Sequence, residues 1–293
     1  MLDEFVEVTK NQPLTGGHYL LSLRSPRQAQ AARPGQFAML RLGDPSDVLL
    51  RRPMSIYDVR PEGGGKEKAK ARNRLRLADL RILQFLYKVV GRGTRRMSEL
   101  RPGDRVGLLG PLGHGFFEEE YLDEARKVNE VLQVAGGIGI AALLMPAKAL
   151  AQAGIGQRLF FGGRTKHDLV CAKDFRPYVR QTVLSTEEGS RGHGGFITEP
   201  LQAFLERNRD RSYLLIVCGP WGMLSASAGL ARQYGHACLV SMENRMGCGL
   251  GVCLGCSIRV HGEGHGAYER VCTEGPVFQA EKVVWESEQL PAL

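Results

Sequence analysis

Short apolar segments separated by glycine and proline dominate the chain up to residue 106. Four of them have the length and alternation of strands, at residues 19–23, 37–42, 55–59 and 85–90. Strands at this spacing are typical of a small antiparallel barrel. We therefore predict an antiparallel β-barrel domain over residues 1–112.

After Gly110 the pattern changes to buried strands that alternate with helical stretches. Strands are predicted at residues 130–135, 158–162, 181–185 and 213–218, and helices at residues 141–153, 198–207 and 223–234. Strand alternating with helix predicts a parallel sheet covered on both faces. We therefore expect an α/β nucleotide-binding domain over residues 113–238.

The remaining residues, 239–293, are rich in cysteine and glycine and carry little helical periodicity. Such a segment needs something other than a large apolar core to hold it, and a metal centre would supply this. The predicted fold class is thus multidomain, β followed by α/β, with a small C-terminal cluster domain.

Four of the seven cysteines make the most specific motif in the chain. Cys248, Cys253, Cys256 and Cys272 are spaced C-x4-C-x2-C-x15-C, and the first three reproduce the loop of plant-type ferredoxins. A structural zinc site is the alternative, but zinc sites favour paired C-x2-C knuckles or histidines, and only one such knuckle is present. The spacing therefore favours these cysteines as ligands of a [2Fe-2S] cluster.

Composition limits the remaining possibilities. The chain has 293 residues, 43% of them hydrophobic, and a formal charge of +8, with seven basic residues between Arg60 and Arg76. No basic stretch carries interleaved aromatics, so we expect no nucleic-acid binding, although that basic segment could dock an acidic partner. The acidic N-terminus and the lack of a long apolar run predict no membrane contact and a cytoplasmic location.

Two further motifs have the chemistry of a flavin site. Arg52 and Ser55 lie at the start of one strand, and Gly93 and Thr94 follow another. A flavin pyrophosphate needs a fixed cation with hydroxyl and backbone donors nearby, and these residues are of those types. Taken alone, they could equally be a surface arginine and a turn.

The order R-P-x-S, then L-Y-K-x5-T with a G-x-G turn, then G-P-L-G-H-G-F resembles the ferredoxin reductase superfamily. Over essentially the whole chain it looks like the electron-transfer subunit of two-component, NAD-linked dihydroorotate dehydrogenase. The resemblance implies FAD in the barrel, held by Arg52, Pro53, Met54, Ser55, Leu86, Tyr87, Lys88, Gly93 and Thr94, and cluster ligation by the four C-terminal cysteines. The chain departs from the family in its long basic insertion at residues 63–76 and in Met54, where other branches have tyrosine.

Two glycine-containing turns predict the nicotinamide site. Gly136, Gly137 and Gly139 close a strand and open a helix, where backbone amides can approach a pyrophosphate, although the same glycines would also suit close helix packing. The second turn, Cys218-Gly219-Pro220, resembles the superfamily segment that lies against the nicotinamide. Cys218 is then expected to be a wall of the site and not a nucleophile, or else a small residue ending a buried strand.

Nicotinamide moves two electrons as hydride and a [2Fe-2S] cluster moves one, so a chain with both needs a flavin between them. The resemblance implies that a separate FMN-containing subunit oxidises dihydroorotate for pyrimidine biosynthesis, in a heterotetramer of two plus two, and that electrons reach NAD⁺ through cluster and FAD. The same cofactors would suit a subunit of an NADH-dependent ferredoxin:NADP reductase, a sulfide dehydrogenase or a hydrogenase. A zinc-stabilised binding protein on a reductase scaffold is the alternative of another class.

Overall fold

The computed structural model describes residues 1–43, 49–62, 77–116, 119–262 and 267–285. The basic insertion at residues 63–76, for which the sequence suggests partner docking, lies outside these residues. The described strands form two seven-stranded sheets and one two-stranded sheet.

The first sheet is antiparallel throughout and is the predicted barrel domain, in the form of an open half-barrel. Its strand order is β4-β3-β7-β1-β2-β6-β5. The elements are β1 (Leu2–Pro13), β2 (His18–Arg24), α1 (Pro26–Ala31), β3 (Phe37–Arg41), β4 (Arg52–Ser55), β5 (Asp58–Pro61), β6 (Leu80–Lys88), α2 (Arg92–Ser98) and β7 (Arg105–Leu112). Short 3₁₀ turns at Thr15–Gly17 and Leu77–Asp79 precede β2 and β6.

The prediction of one continuous strand at residues 55–59 is wrong. Ile56 and Tyr57 are buried and cross between β4 and β5, which lie at opposite edges of the sheet. The amide of Ile56 donates to Gln36 O at 3.0 Å, and that of Tyr57 donates to Gln84 O at 2.9 Å. These bonds join the two edges, so an apolar pair that reads as strand interior is in fact the crossing segment.

The second sheet, in the order β11-β10-β9-β8-β12-β13-β16, is parallel except for its last pair, in which the C-terminal strand β16 (Val277–Gln279) joins β13. Its elements and the helices on its faces are α3 (Glu119–Lys127), β8 (Glu130–Gly136), α4 (Leu144–Gln152), β9 (Gln157–Gly163), α5 (Ala172–Phe175), β10 (Gln181–Thr186), β11 (His193–Gly194), α6 (Thr198–Arg207), β12 (Tyr213–Cys218), α7 (Trp221–Gln233) and β13 (Ala237–Ser241). The strands β8, β9, β10 and β12 and the helix α6 confirm the predicted alternation.

The helix predicted at residues 141–153 begins later than expected. A 3₁₀ turn, Gly137–Ala142, comes first, and α4 starts only at Leu144. Pro146 then falls in the first turn of α4, where backbone N–H groups have no intrahelical partner and proline costs little. The apolar pattern of the sequence does not separate the 3₁₀ turn from α4, so the two were predicted as one helix.

The C-terminal segment contributes to both a hairpin and the parallel sheet. Strands β14 (Ser257–Val260) and β15 (Ala267–Arg270) pair with each other, and β16 (Val277–Gln279) pairs antiparallel with β13 before a 3₁₀ turn, Ala280–Lys282. The predicted boundary at residue 238 falls inside β13. The three-domain division therefore stays a proposal, in which the third segment supplies an edge strand to the second.

An apolar cluster with residues from all three segments packs them together. It contains Met39 and Leu112 of the barrel, Leu215 of the parallel sheet, and the cysteines Cys256 and Cys272. No helix in the described ranges is long and apolar enough to cross a membrane.

Candidate flavin, nicotinamide and cluster site

The two halves of the predicted flavin motif meet in space. Arg52 opens β4, and Gly93 lies in the first turn of α2. A Cβ on Gly93 would lie 2.1 Å from Arg52 Nε, so the guanidinium rests directly against the glycine backbone. A fixed cation beside open backbone is the arrangement that a pyrophosphate requires.

Thr94 closes the turn that leads into α2. Its hydroxyl oxygen accepts hydrogen bonds from the amides of Val90 at 2.9 Å and Gly91 at 3.1 Å. The side chain is 8% exposed. Thr94 thus fixes the shape of the loop that holds Gly93 against Arg52.

The L-Y-K segment of β6 has a different role on each residue. The side chains of Leu86 and Tyr87 are buried, and Tyr87 stacks on Tyr19 with ring centroids 5.5 Å apart. Leu86 packs in the apolar cluster that also contains Ala135 of the α/β domain, whereas Tyr87 packs in the barrel core. Lys88 reaches the α/β domain through a polar contact, with its Nζ 2.6 Å from Asp168 Oδ1. Because the side chains of Leu86 and Tyr87 are buried, their contribution to a cofactor site would come from the backbone.

Pro53, Met54 and Ser55 complete β4, which pairs with β3 and, among the described strands, lies at the edge of the sheet. Proline, which has no N–H to donate, is tolerated at such an edge. All three residues are half-buried.

The two predicted nicotinamide turns lie at the carboxyl ends of neighbouring strands. Cys218 of β12 is in register with Ala135 of β8. A Cβ on Gly139 would lie 2.3 Å from Cys218 O, and one on Gly136 would lie 2.7 Å from Pro220 Cδ. The two turns are therefore packed backbone to backbone at the edge where parallel sheets bind nucleotides.

Gly137 and Gly219 take backbone conformations that only glycine adopts readily. Their φ values are +51° and +158°. A Cβ on Gly219 would also lie 2.9 Å from the amide nitrogen of Gly136, so at this position glycine is required for space as well.

Cys218 is 1% exposed. Burial raises the pKa of its thiol, and the nearby Glu243 carboxylate raises that pKa further. A protonated, enclosed thiol is a poor nucleophile. This agrees with both predictions for Cys218, a wall of the nicotinamide site or a small residue that ends a buried strand.

The four C-terminal cysteines lie together but in different surroundings. Cys256 and Cys272 are buried, Cys248 is half-buried and Cys253 is exposed. Backbone amides point at two of the sulfurs: Leu250 N lies 3.3 Å from Cys248 Sγ, and Gly251 N lies 3.2 Å from Cys272 Sγ. Amide donors of this kind stabilise thiolates, the form in which cysteine binds iron.

Burial tends to raise the pKa of Cys248, but hydrogen bonds from the backbone of Leu250 and Cys253 outweigh it and bring the pKa to about 6. Burial and the neighbouring Cys256 thiol raise the pKa of Cys272 to about 11. The described residues contain no group of three His, Cys, Asp or Glu side chains placed to hold a single metal ion. The all-thiol donor set and its amide hydrogen bonds fit an iron–sulfur cluster.

The cysteine loop rests on the barrel. Gly249 has φ +73°, and a Cβ there would lie 2.6 Å from Met39 Cγ and 3.4 Å from Leu112 Cδ1. Met39 is in turn the cross-strand partner of Pro53 in the predicted flavin motif. One residue layer thus separates the cysteine loop from β4.

Comparison with known proteins agrees with this arrangement. Residues 243–284 match the iron-sulfur cluster binding domain of dihydroorotate dehydrogenase B, and residues 133–228 match the oxidoreductase NAD-binding domain. The electron transfer subunit of dihydroorotate dehydrogenase B (NAD(+)) from Desulforamulus reducens is 34% identical over 92% of this chain and 93% of its own length. That from Geobacillus thermodenitrificans is 34% identical over 96% of this chain and 98% of its own.

This chain belongs to the family of dihydroorotate dehydrogenase B electron transfer subunits.

A solved structure extends the comparison beyond that family. The structure of an NADH-dependent reduced ferredoxin-NADP oxidoreductase, studied for flavin-based electron bifurcation, covers 96% of this chain at 29% identity with a TM-score of 0.77. The chain spans 90% of the length of that protein. The predicted superfamily, fold class and oxidoreductase character are confirmed, whereas the individual site residues stay predictions.

A polar cleft beside the flavin and nicotinamide motifs contains residues that sequence reasoning missed. It has a volume of about 850 Å³ and is lined by Gly16, Lys88, Arg164, Thr165, His167, Asp168, Glu187 and Glu188. No sequence motif marks Asp168, because its partner Lys88 belongs to another domain and is distant in the sequence. Arg164 follows the carboxyl end of β9 and lines this cleft.

Glu199 organises the chain that leads into α6. Its carboxylate accepts from the Phe196 amide at 3.0 Å and lies 2.7 Å from His193 Nε2. The helix begins at Thr198 after Ile197, which provides no side-chain cap.

Proposed function

We propose that this chain passes to NAD⁺ the electrons that a separate FMN-containing catalytic subunit takes from dihydroorotate. Family membership supports this proposal, and one structural observation carries it. Gly249 of the cysteine loop packs on Met39, which pairs with Pro53 of the flavin motif. The predicted cluster and flavin sites are thereby held side by side in one packed unit.

Each group would be held by its own set of residues. Arg52, Gly93 and Thr94 would bind the FAD pyrophosphate, and Cys248, Cys253, Cys256 and Cys272 would bind the [2Fe-2S] cluster. Gly136 and Gly139 would bring backbone amides to NAD(H), with Cys218, Gly219 and Pro220 as the wall. When bound, the flavin exchanges two electrons with nicotinamide and single electrons with the cluster.

The surface around the cysteine loop suits a protein partner. Leu250, Val252 and Leu254 are 41%, 80% and 63% exposed, although each is apolar. An exposed apolar patch of this kind marks a protein interface. We therefore propose that the catalytic subunit docks here, in a heterotetramer of two plus two, and that the complex works in the reducing cytoplasm, where the ligand thiols stay available.

The test begins with the full chain purified without oxygen. We expect about two irons, two sulfides and one FAD per chain, consistent with the cofactors proposed, and bleaching of the visible spectrum by NADH. Adding the FMN-containing catalytic subunit should then give NAD⁺ reduction that depends on dihydroorotate. A colourless protein that holds zinc after reconstitution with iron, sulfide and FAD would overturn the proposal and favour the binding-protein alternative.

A second candidate function rests on the structural similarity to the ferredoxin-NADP oxidoreductase. In that case the loaded chain would exchange electrons with reduced ferredoxin and NADP. Loaded chain that fails to couple with the dihydroorotate-oxidising subunit but couples with ferredoxin and NADP would favour this candidate. The curated relatives, at 34% identity, favour the first.

A further inference from the structure

An arginine and a glutamate next to the cysteine cluster have no role in the function described above. Arg270 ends β15, and Glu274 lies in the turn that carries Cys272. Arg270 Nε donates to Glu274 Oε2 at 3.0 Å, and a second guanidinium nitrogen bonds Glu274 Oε1. The pair is therefore bidentate, the most directional form of ion pair available to these side chains.

The same guanidinium reaches the cysteine loop. Arg270 Nη1 donates to Gly251 O at 2.9 Å, and the amide of Gly251 points at Cys272 Sγ from 3.2 Å. Arg270 O also accepts from the amides of Thr273, Glu274 and Gly275, which closes the turn around Cys272. Arg270 therefore ties the loop that holds three cysteines to the turn that holds the fourth.

The Arg270 guanidinium lies near the buried cysteines, because Gly251, whose carbonyl it bonds, also donates its amide to Cys272 Sγ. Arg270 interacts electrostatically with Cys256 and Cys272, both 2% exposed. Arginine stays a cation at any accessible pH. A cluster that gains an electron gains negative charge, so a nearby cation favours the reduced form and a nearby carboxylate favours the oxidised form.

We propose that Arg270 and Glu274 are positioning residues that set the reduction potential of the cluster, Arg270 raising it and Glu274 lowering it. The inference rests on the proposed function, because it requires a [2Fe-2S] cluster on the four cysteines. The inference predicts that removing the charge of Arg270 and removing that of Glu274 shift the reduction potential in opposite directions. Loosening of the loop alone would not produce shifts of opposite sign.

The experiment is a redox titration of the anaerobically purified full chain, with the cluster followed by electron paramagnetic resonance. We expect R270Q to lower the midpoint potential and E274Q to raise it, each by about tenfold in the ratio of oxidised to reduced cluster, or about 59 mV for a one-electron couple. The double variant R270Q/E274Q should return close to the wild-type value. R270K keeps the positive charge but loses the bidentate guanidinium geometry, and its potential should stay near that of the wild type.

A neighbouring ion pair supplies the control. Glu269 precedes Arg270 on β15, and its carboxylate bonds Lys282 Nζ at 2.6 Å. Successive strand residues point to opposite faces, so E269Q removes the same charge from the same hairpin on the other side. We expect E269Q to move the potential much less than E274Q.

The outcomes separate the inference from the function on which it rests. Wild-type chain without a [2Fe-2S] signal after reconstitution would overturn the proposed function. An intact wild-type cluster with R270Q and E274Q both at the wild-type potential, or both displaced in one direction, would overturn the inference alone. Should R270Q fail to assemble its cluster, E274Q still decides the question, because only a raised potential supports it.

Discussion

Arg52 occupies the space that any side chain at residue 93 would need, since a Cβ on Gly93 would lie 2.1 Å from Arg52 Nε. The guanidinium is the mobile end of a long side chain, so a larger residue displaces the cation and leaves the fold intact. G93A should therefore weaken FAD binding by about tenfold, the cost of one charge-assisted hydrogen bond. Binding is measured by fluorescence titration of flavin-free chain with FAD.

Gly91 gives the matched control for this substitution. It lies in the same loop, its φ of −167° is extended backbone, and a Cβ there would meet nothing within 4 Å. G91A should bind FAD as the wild type does. Equal affinities for G93A and wild type would show that the position of Arg52 does not govern flavin binding.

Gly249 tests the contact between the cysteine loop and the barrel. G249A should lose about 1–2 kcal/mol of unfolding free energy to left-handed backbone strain, and more because its Cβ displaces Met39. Gly235 has φ +71° with no neighbour within 4 Å, so G235A carries the strain without the collision. We expect NADH to reduce the cluster more slowly in G249A than in G235A, and freeze-quench spectroscopy measures both rates. Equal rates would contradict electron transfer through this contact.

The Lys88–Asp168 ion pair predicts a pH-dependent link between barrel and α/β domain. Burial raises the pKa of Asp168, but hydrogen bonds from Lys88 and the Thr165 amide outweigh it and lower that pKa. The stabilisation is thus complete above the unfolded pKa of about 3.9 and is lost as pH falls through the lower folded value. D168N should cost about 1 kcal/mol at pH 7, since Lys88 is partly exposed, and less near pH 3.

Urea unfolding of wild type and D168N at both pH values measures this difference. D123N serves as the control, because Asp123 pairs with Arg126 on the exposed face of α3, where both side chains are more than half exposed. Its effect should be close to zero at either pH. A D168N deficit that grows as pH falls would contradict the predicted sign.

Thiol reactivity in the cluster-free chain should follow burial and pKa. With a pKa of about 6, Cys248 is largely thiolate at pH 7, whereas Cys218 and Cys238 are buried and have raised pKa values. Iodoacetamide should therefore modify Cys248 well before those two, and its rate should fall as pH drops below 6. Mass spectrometry of native chain after short exposure measures the order, and early modification of Cys238 would contradict it.

Local signals predicted much of this molecule. The C-x4-C-x2-C spacing and the glycine turns at Gly136 and Cys218 are short motifs whose chemistry depends on neighbours in sequence, and the structure brings the turns together at one sheet edge. The order of motifs in the family predicts that Arg52 and Gly93 share one site, but only the structure shows their direct contact.

Features that depend on distant contacts escaped prediction. Ile56 and Tyr57 look like strand interior because burial at a crossing and burial in a sheet leave the same apolar pattern. Lys88 and Asp168 form an ion pair between two domains, and the pattern of apolar residues around either one does not predict this contact. The three-residue β16 is too short for any alternation to mark it as a strand.

That short strand restricts the movement of the C-terminal segment. Because β16 is hydrogen-bonded to β13, the C-terminal segment is anchored at the cysteine loop on Met39 and again in the parallel sheet. It is therefore not a tethered electron shuttle that swings between donor and acceptor. In the proposed arrangement, the fold therefore fixes the distance over which electrons tunnel between cluster and flavin, and the partner protein would dock at a cluster that does not move.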